Sequence, residues 1–175
     1  MALFETIKYK LIKKDGKIEI RQYDDILLAS TKSSKSESQD SGFSDVFRYI
    51  SGNNDAEKKI SMTTPVVTYE DGEQLVTGFY VPSKYTKETT PKPTEQGVFI
   101  NELKNSYYAV IKFSGKWTDK NFDKYDKLLL EYMTNNGYDK QSQRLILRYQ
   151  PPFVPGILRH NEIAYQIASK NIKER

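Results

Sequence analysis

Cysteine is absent from these 175 residues, and histidine and tryptophan occur once each. The first absence excludes disulfides and thiolate metal sites, and it suits a reducing compartment or a chain indifferent to redox state. With one imidazole and no thiol, neither a His/Cys metal cage nor a Cys/His dyad can be assembled from this chain alone. No serine lies in Gly-x-Ser-x-Gly, and no Gly-rich phosphate loop opens a helix, so no catalytic constellation speaks for an enzyme. Asp24 and Asp25 are neighbours at a strand end and point apart, which suits a solvated turn better than an acid/base pair. Long apolar runs are missing too. No stretch approaches the roughly 18 apolar residues that span a bilayer, and Met1 to Lys10 lacks the apolar run of a secretory signal. The expectation is a soluble, cytoplasmic protein with no membrane span.

What is present is aromatic and mildly basic. Thirteen tyrosines and eight phenylalanines supply large rings for a core, and the tyrosine hydroxyls need partners or solvent. The length fits a single domain covering residues 1–175, able to bury about two-thirds of its extended surface. Twenty-seven basic against 23 acidic residues leave a net charge of +4. No Lys/Arg cluster is interleaved with aromatics in a known motif, so nucleic acid is not an expected partner.

Along the chain, residues 4–29 read as two strands around an Asp15-Gly16 turn, with Ile18 and Ile20 on one face. Ser30 to Ser41 is polar and lacks periodic apolar residues, and reads as a solvated connection. Phe43, Val46, Phe47 and Ile50 fall at i, i+3, i+4, i+7, a helical stripe, with Ser41 as N-cap and Gly52 as stop. Lys59 to Val67 and Gln74 to Pro82 follow as strands about an Asp71-Gly72 turn. Pro65 cannot donate to a ladder, so the first of these enters its sheet at an edge or irregularly. After a Pro-rich interval over 83–96, Val98–Leu103 and Tyr108–Ser114 read as a strand pair. A long helix follows, capped by Thr118 or Asp119, with Phe122, Tyr125, Leu129, Tyr132 and Met133 on one face and Asn136-Gly137 at its end. Gln143–Gln150 and Glu162–Ala168 complete the chain around the proline-bounded loop 151–160. The order strand, strand, helix, strand, strand thus occurs twice. It predicts an α+β fold, a distorted eight-stranded antiparallel barrel with two helices packed on it.

The run Lys59-Ile-Ser-Met-Thr-Thr-Pro-Val-Val67 resembles the signature of the SOUL/haem-binding-protein family. Glu19-Ile20-Arg21-Gln22-Tyr23, Tyr49 to Asn54, Phe79 to Pro82, Phe113-Ser114-Gly115, Tyr149 to Pro152 and Arg159 to Glu162 are similar to that family's blocks, in its order. The resemblance covers roughly residues 7 to 168. It implies a pseudo-duplicated barrel related to bacterial effector-binding domains, and a non-enzymatic protein that binds haem or another tetrapyrrole.

The same resemblance directs attention to six residues. Phe43 and Phe47 would face the ring from the first helix, although their stripe also suits core packing. Arg48 would meet a propionate, or simply favour a helix C-terminus. Met62 offers a thioether, or packs in the core. His160 could hold iron through Nε2, or be an ordinary strand-edge histidine, and Arg159 could meet a second propionate or pair with Glu162. Some relatives carry a histidine where this chain has Gln22, so the expectation is binding mainly through a shallow apolar groove between the first helix and adjacent strands, without a strong axial ligand. The alternative is a small-molecule effector-binding or interaction module, whose apolar cation would meet a buried carboxylate among aromatic rings.

Overall fold

A computed structural model of the chain describes residues 4–35 and 43–172. Its strands are β1 (Glu5–Thr6), β2 (Lys10–Asp15), β3 (Ile18–Tyr23), β4 (Ile26–Ser34), β5 (Thr63–Thr64), β6 (Val66–Asp71), β7 (Gln74–Tyr80), β8 (Val98–Leu103), β9 (Ser106–Phe113), β10 (Leu145–Arg148) and β11 (Asn161–Ile167). The α-helices are α1 (Phe43–Ile50) and α2 (Asp119–Asn135). Two compact units divide these elements, one from residues up to Ile7 and Asp25–Lys104, the other from Lys8–Asp24 and Asn105 onward.

Both units follow one plan. In the first, β4 pairs antiparallel with β7 on one side and β8 on the other, and β6 pairs with β7. In the second, β9 pairs antiparallel with β11 and β3, and β10 pairs with β11. The strand before each helix, β4 or β9, is therefore flanked by the farther member of the antiparallel pair that follows the helix, β7 or β11. The fourth strand of each set comes from elsewhere in the chain: β8 precedes β9 in sequence yet pairs with β4, while β3 precedes β4 and pairs with β9. The fold is α+β with the strand, strand, helix, strand, strand order repeated. Each unit, however, takes its first strand from the other sequence half, and Val98–Leu103 does not pair with the strand that follows it.

Local chemistry explains the elements. Two-residue loops close the β2–β3 and β6–β7 hairpins, and Gly16 (φ +59°) and Gly72 (φ +61°) take the left-handed position that their lack of Cβ permits. The Thr118 side chain caps α2 by accepting from the Asn121 N–H at 3.2 Å. Pro65, which has no N–H to give to a ladder, divides the two-residue β5, which pairs parallel with β1, from β6. The polar interval after Ser30 departs from expectation. Ser30 to Ser34 continue β4, and Ser30, Thr31 and Ser33 are buried. A small hydroxyl can be buried where it finds a partner, and Ser30 donates to Asn101 Oδ1 at 2.8 Å. The expected cap Ser41 lies outside the described residues.

Each helix covers an apolar sheet face of its own unit. Under α1 lie Ala29, Phe79, Val81 and Val98, met by Val46, Tyr49 and Ile50 of the helix. Under α2 lie Ile20, Ala109, Ile111, Ile163 and Tyr165, met by Phe122, Leu129 and Met133. Leu129 is fully buried and its neighbour Leu128 about half exposed. Leu129→Ala is expected to cost about 2–5 kcal/mol in chemical denaturation and Leu128→Ala under about 1 kcal/mol. Equal losses would contradict this facing of α2.

Candidate functional site

The helical stripe on α1 is rotated from its expected direction. Tyr49 fills the inward position beside Val46 and Ile50, with its hydroxyl donating to the Pro91 carbonyl. Phe43 and Phe47 are thereby left 39% and 48% exposed. Their rings stack at 6.2 Å between centroids, and Phe43 also leans on Phe79 at 5.3 Å. The result is a fixed aromatic surface on the outside of the helix. Beside it, Arg48 is held by Asp45 and by Glu95, whose carboxylate takes both Nε (3.0 Å) and an Nη (3.2 Å). Its cationic charge is matched already, although the side chain stays in solvent. Met62 lies elsewhere in the same unit, lining a hollow with Ile50, Ile60, Phe79 and Tyr80 whose interior of about 10 Å³ has room for roughly one water. No macrocycle fits there.

Arg159 and His160 belong to the other unit. Arg159 donates to the carbonyls of Val154 (2.9 Å) and Pro152 (2.7 Å) and lies over the Trp117 ring at 4.1 Å, so it secures its own loop and does not pair with Glu162. The His160 ring stacks flat on Tyr149 at 4.2 Å, and its Nε2 lies 2.8 Å from Glu162 Oε1. The nitrogen expected to meet iron is therefore engaged by a carboxylate.

Glu162 leads to a dense cluster of buried charged and aromatic side chains. The alternation Glu19, Arg21, Tyr23 along β3 puts three polar side chains on the sheet face opposite α2, and β11 adds Glu162 to it. Arg21 is completely buried. Its two terminal nitrogens grip the two Glu162 oxygens at 2.8 and 2.9 Å, Nε meets Glu19 at 2.7 Å, and one nitrogen also donates to the Tyr23 hydroxyl at 2.8 Å. The Tyr9 ring lies over the guanidinium at 3.9 Å. Tyr149 donates to Glu162 at 3.1 Å, and Lys112 stands 3.2 Å from Glu19.

The electrostatics follow from this packing. Burial by itself would raise the Glu162 carboxyl, but hydrogen bonds from His160 and Arg21, with their positive charge, prevail and hold it at about 2. Glu19 is lowered in the same way, burial being outweighed by Arg21 and Lys112. Burial and the neighbouring Glu162 charge push the Tyr149 hydroxyl well above its usual range. Two carboxylates among aromatic rings are thus filled by the chain's own guanidinium. No group of three or more His, Asp or Glu among the described residues could hold a metal ion. Arg21 and Glu19 carry a period-two polar pattern in an otherwise buried strand, the signal that sequence reasoning passed over.

The α+β fold is similar to that of solved domains of low sequence identity. The EcmrR C-terminal domain aligns over 91% of this chain and 98% of its own at a TM-score of 0.63 and 12% identity. SAV2435, solved bound to tetraphenylphosphonium, aligns over 94% and 96% at 0.51 and 11%. The SOUL heme-binding protein family model matches residues 4–166, and the chain belongs to that family. Heme-binding protein 2 of Homo sapiens is 35% identical over 111 residues, which is 57% of this chain and only about half, 53%, of that relative.

Because the Glu162 carboxyl is held below its free value, its contribution to stability is complete above about pH 5 and is lost as pH falls toward 2. Glu162→Gln should lower the melting temperature at neutral pH, and its difference from the native chain should shrink on acidification. Glu162→Ala, which strands a buried guanidinium, should cost about 3–5 kcal/mol. A pH-independent difference would remove Glu162 from this role.

Proposed function

We propose that residues 1–175 act as one SOUL-like domain that binds haem or a related tetrapyrrole, the ring lying on the exposed Phe43–Phe47 surface of α1. The observation that carries this reading is the stacked, half-exposed aromatic pair in a chain of this family. Flat apolar rings offer a macrocycle contact area and offset stacking with little ordering cost, since each is already held in place. Binding is then mostly apolar, with the exposed Arg48 at the rim. Any propionate there competes with Glu95 and Asp45 for the guanidinium, which keeps its contribution small.

The ring is recognised without a strong axial ligand. His160 Nε2 is engaged by Glu162, Met62 lines a one-water hollow, and Gln22 donates to Asn105 at 3.1 Å. Function is binding without turnover, in the cytoplasm, and needs no nucleic acid. The alternative, an apolar cation at a buried carboxylate, loses ground because Arg21 already fills the place between Glu162, Glu19 and Tyr9.

Titration with haemin and with metal-free protoporphyrin should give comparable affinities. Phe47→Ala should weaken both by about 1–3 kcal/mol, the scale of one large apolar side chain. His160→Ala should leave the Soret band nearly unchanged. A low-spin bis-nitrogen spectrum that collapses in the His160 variant would refute ring-only recognition.

A further inference from the structure

The loop from Pro151 to Arg159 of the second unit holds its apolar side chains outward. Phe153 is 85%, Ile157 81% and Leu158 69% exposed, far beyond what a satisfied surface loop needs. This is a stiff loop. Three prolines restrict it, Gly156–Leu158 forms a turn of 3₁₀ helix, and Arg159 ties the carbonyls of Pro152 and Val154 to the Trp117 ring. The Gly115 N–H donates to the Gly156 carbonyl at 3.0 Å, which seats the loop on the turn before α2. A β-carbon at Gly156 would come within 3.0 Å of Lys116 Cγ, so this backbone lies directly against the lysine.

Charge gathers at the same end. Asn161 stands opposite Phe113, and Ile18 opposite Ile111, so the loop entering β11 and the β2–β3 turn lie at one end of this sheet. Exposed Lys13, Lys14 and Lys17 flank that turn, and Lys116 and Lys120 flank the start of α2, against the carboxylates of Asp15 and Asp119. The whole unit carries 18 Lys and Arg against 10 Asp and Glu, a net of +8, whereas the first unit has 9 against 13, a net of −4. The chain's modest basicity therefore conceals a strong asymmetry.

We propose that this loop is a peripheral membrane anchor that inserts Phe153, Ile157 and Leu158 into the boundary between head groups and acyl chains of an anionic bilayer. The surrounding lysines then meet the head-group phosphates and carboxylates. Stable attachment at an interface needs two signals, and here a rigid apolar tip and a basic collar are both present. Each exposed lysine adds an attraction that salt weakens, and its flexible stem lets the ammonium stay in water while the tip descends. Because the loop is already ordered, insertion costs little conformational freedom.

The test is co-sedimentation of the full chain with vesicles of phosphatidylcholine alone or mixed with phosphatidylserine, together with emission of the single Trp117 beneath the loop. The native chain should bind the mixed vesicles, weakly bind the neutral ones, and release with added salt. Phe153→Ser/Ile157→Ser/Leu158→Ser should lower that binding on the order of tenfold or more, three exposed apolar groups being removed from a buried state. Lys13→Glu/Lys14→Glu/Lys17→Glu should abolish the preference for phosphatidylserine. All three serine positions are exposed, and an unchanged melting temperature verifies folding. Failure to bind mixed vesicles, or binding that survives the serine substitutions, would overturn the proposal. A concentration-dependent dimer that the same substitutions dissolve would make the loop a protein interface instead. None of these outcomes depends on tetrapyrrole binding.

Discussion

The buried Arg21 guanidinium is the constraint on which the second unit depends. A charge removed from water costs several kcal/mol unless every donor is met, and a guanidinium has five. Here Glu162 takes two nitrogens side by side, Glu19 takes Nε, and the Tyr23 hydroxyl and the Tyr9 ring complete the shell. Such a pair is poor evidence for high stability, because apolar residues of similar shape often do as well. Its geometric demand is the stronger consequence. A shift of one residue in β3 would turn Arg21 toward the α2 core and Glu162 would lose its partner, so the charges penalise the wrong register.

The same demand determines what His160 can be. A buried carboxylate gripped by arginine still has lone pairs to satisfy, and His160 Nε2 and the Tyr149 hydroxyl supply them. The imidazole, flat on Tyr149, is thus part of the shell around Glu162 before any ligand arrives. A metal seeking Nε2 would have to break a bond to a charged acceptor, the kind that is strongest in proteins.

Much of this fold is legible in the sequence where the physics is local. The Asp-Gly turns, the Thr118 cap and the buried side of α2 all depend on residues within a few positions of one another. Strand exchange depends on pairing over some 70 residues, as in Ser30 with Phe99, and no local pattern encodes it. β4 was obscured because its serines and threonine look solvated until strands on both sides bury them. On α1 the period was legible and the direction was not. Phe43, Val46, Phe47 and Ile50 form a valid stripe, but Tyr49 can turn inward once Pro91 offers its carbonyl, and the two phenylalanines turn out. The ion network escaped for a related reason: Glu19, Arg21 and Tyr23 read as ordinary polar residues unless the strand is known to be buried on both faces.

These features bear on what kind of recognition the chain can support. The deeply buried charges satisfy one another: Arg21 by two glutamates, Glu162 by arginine, tyrosine and histidine, Glu19 by arginine and lysine. A ligand that relied on them would first have to displace an internal partner of equal charge, and the gain would be small. The apolar surface is different, because Phe43 and Phe47 on one unit and the 151–159 loop on the other leave large rings and aliphatic chains in water with nothing gained by it. Covering such surface is favourable without any exchange of partners. Ring contact and apolar burial are therefore open to a ligand in a way that the Arg21, Glu19 and Glu162 charges, already engaged with one another, are not.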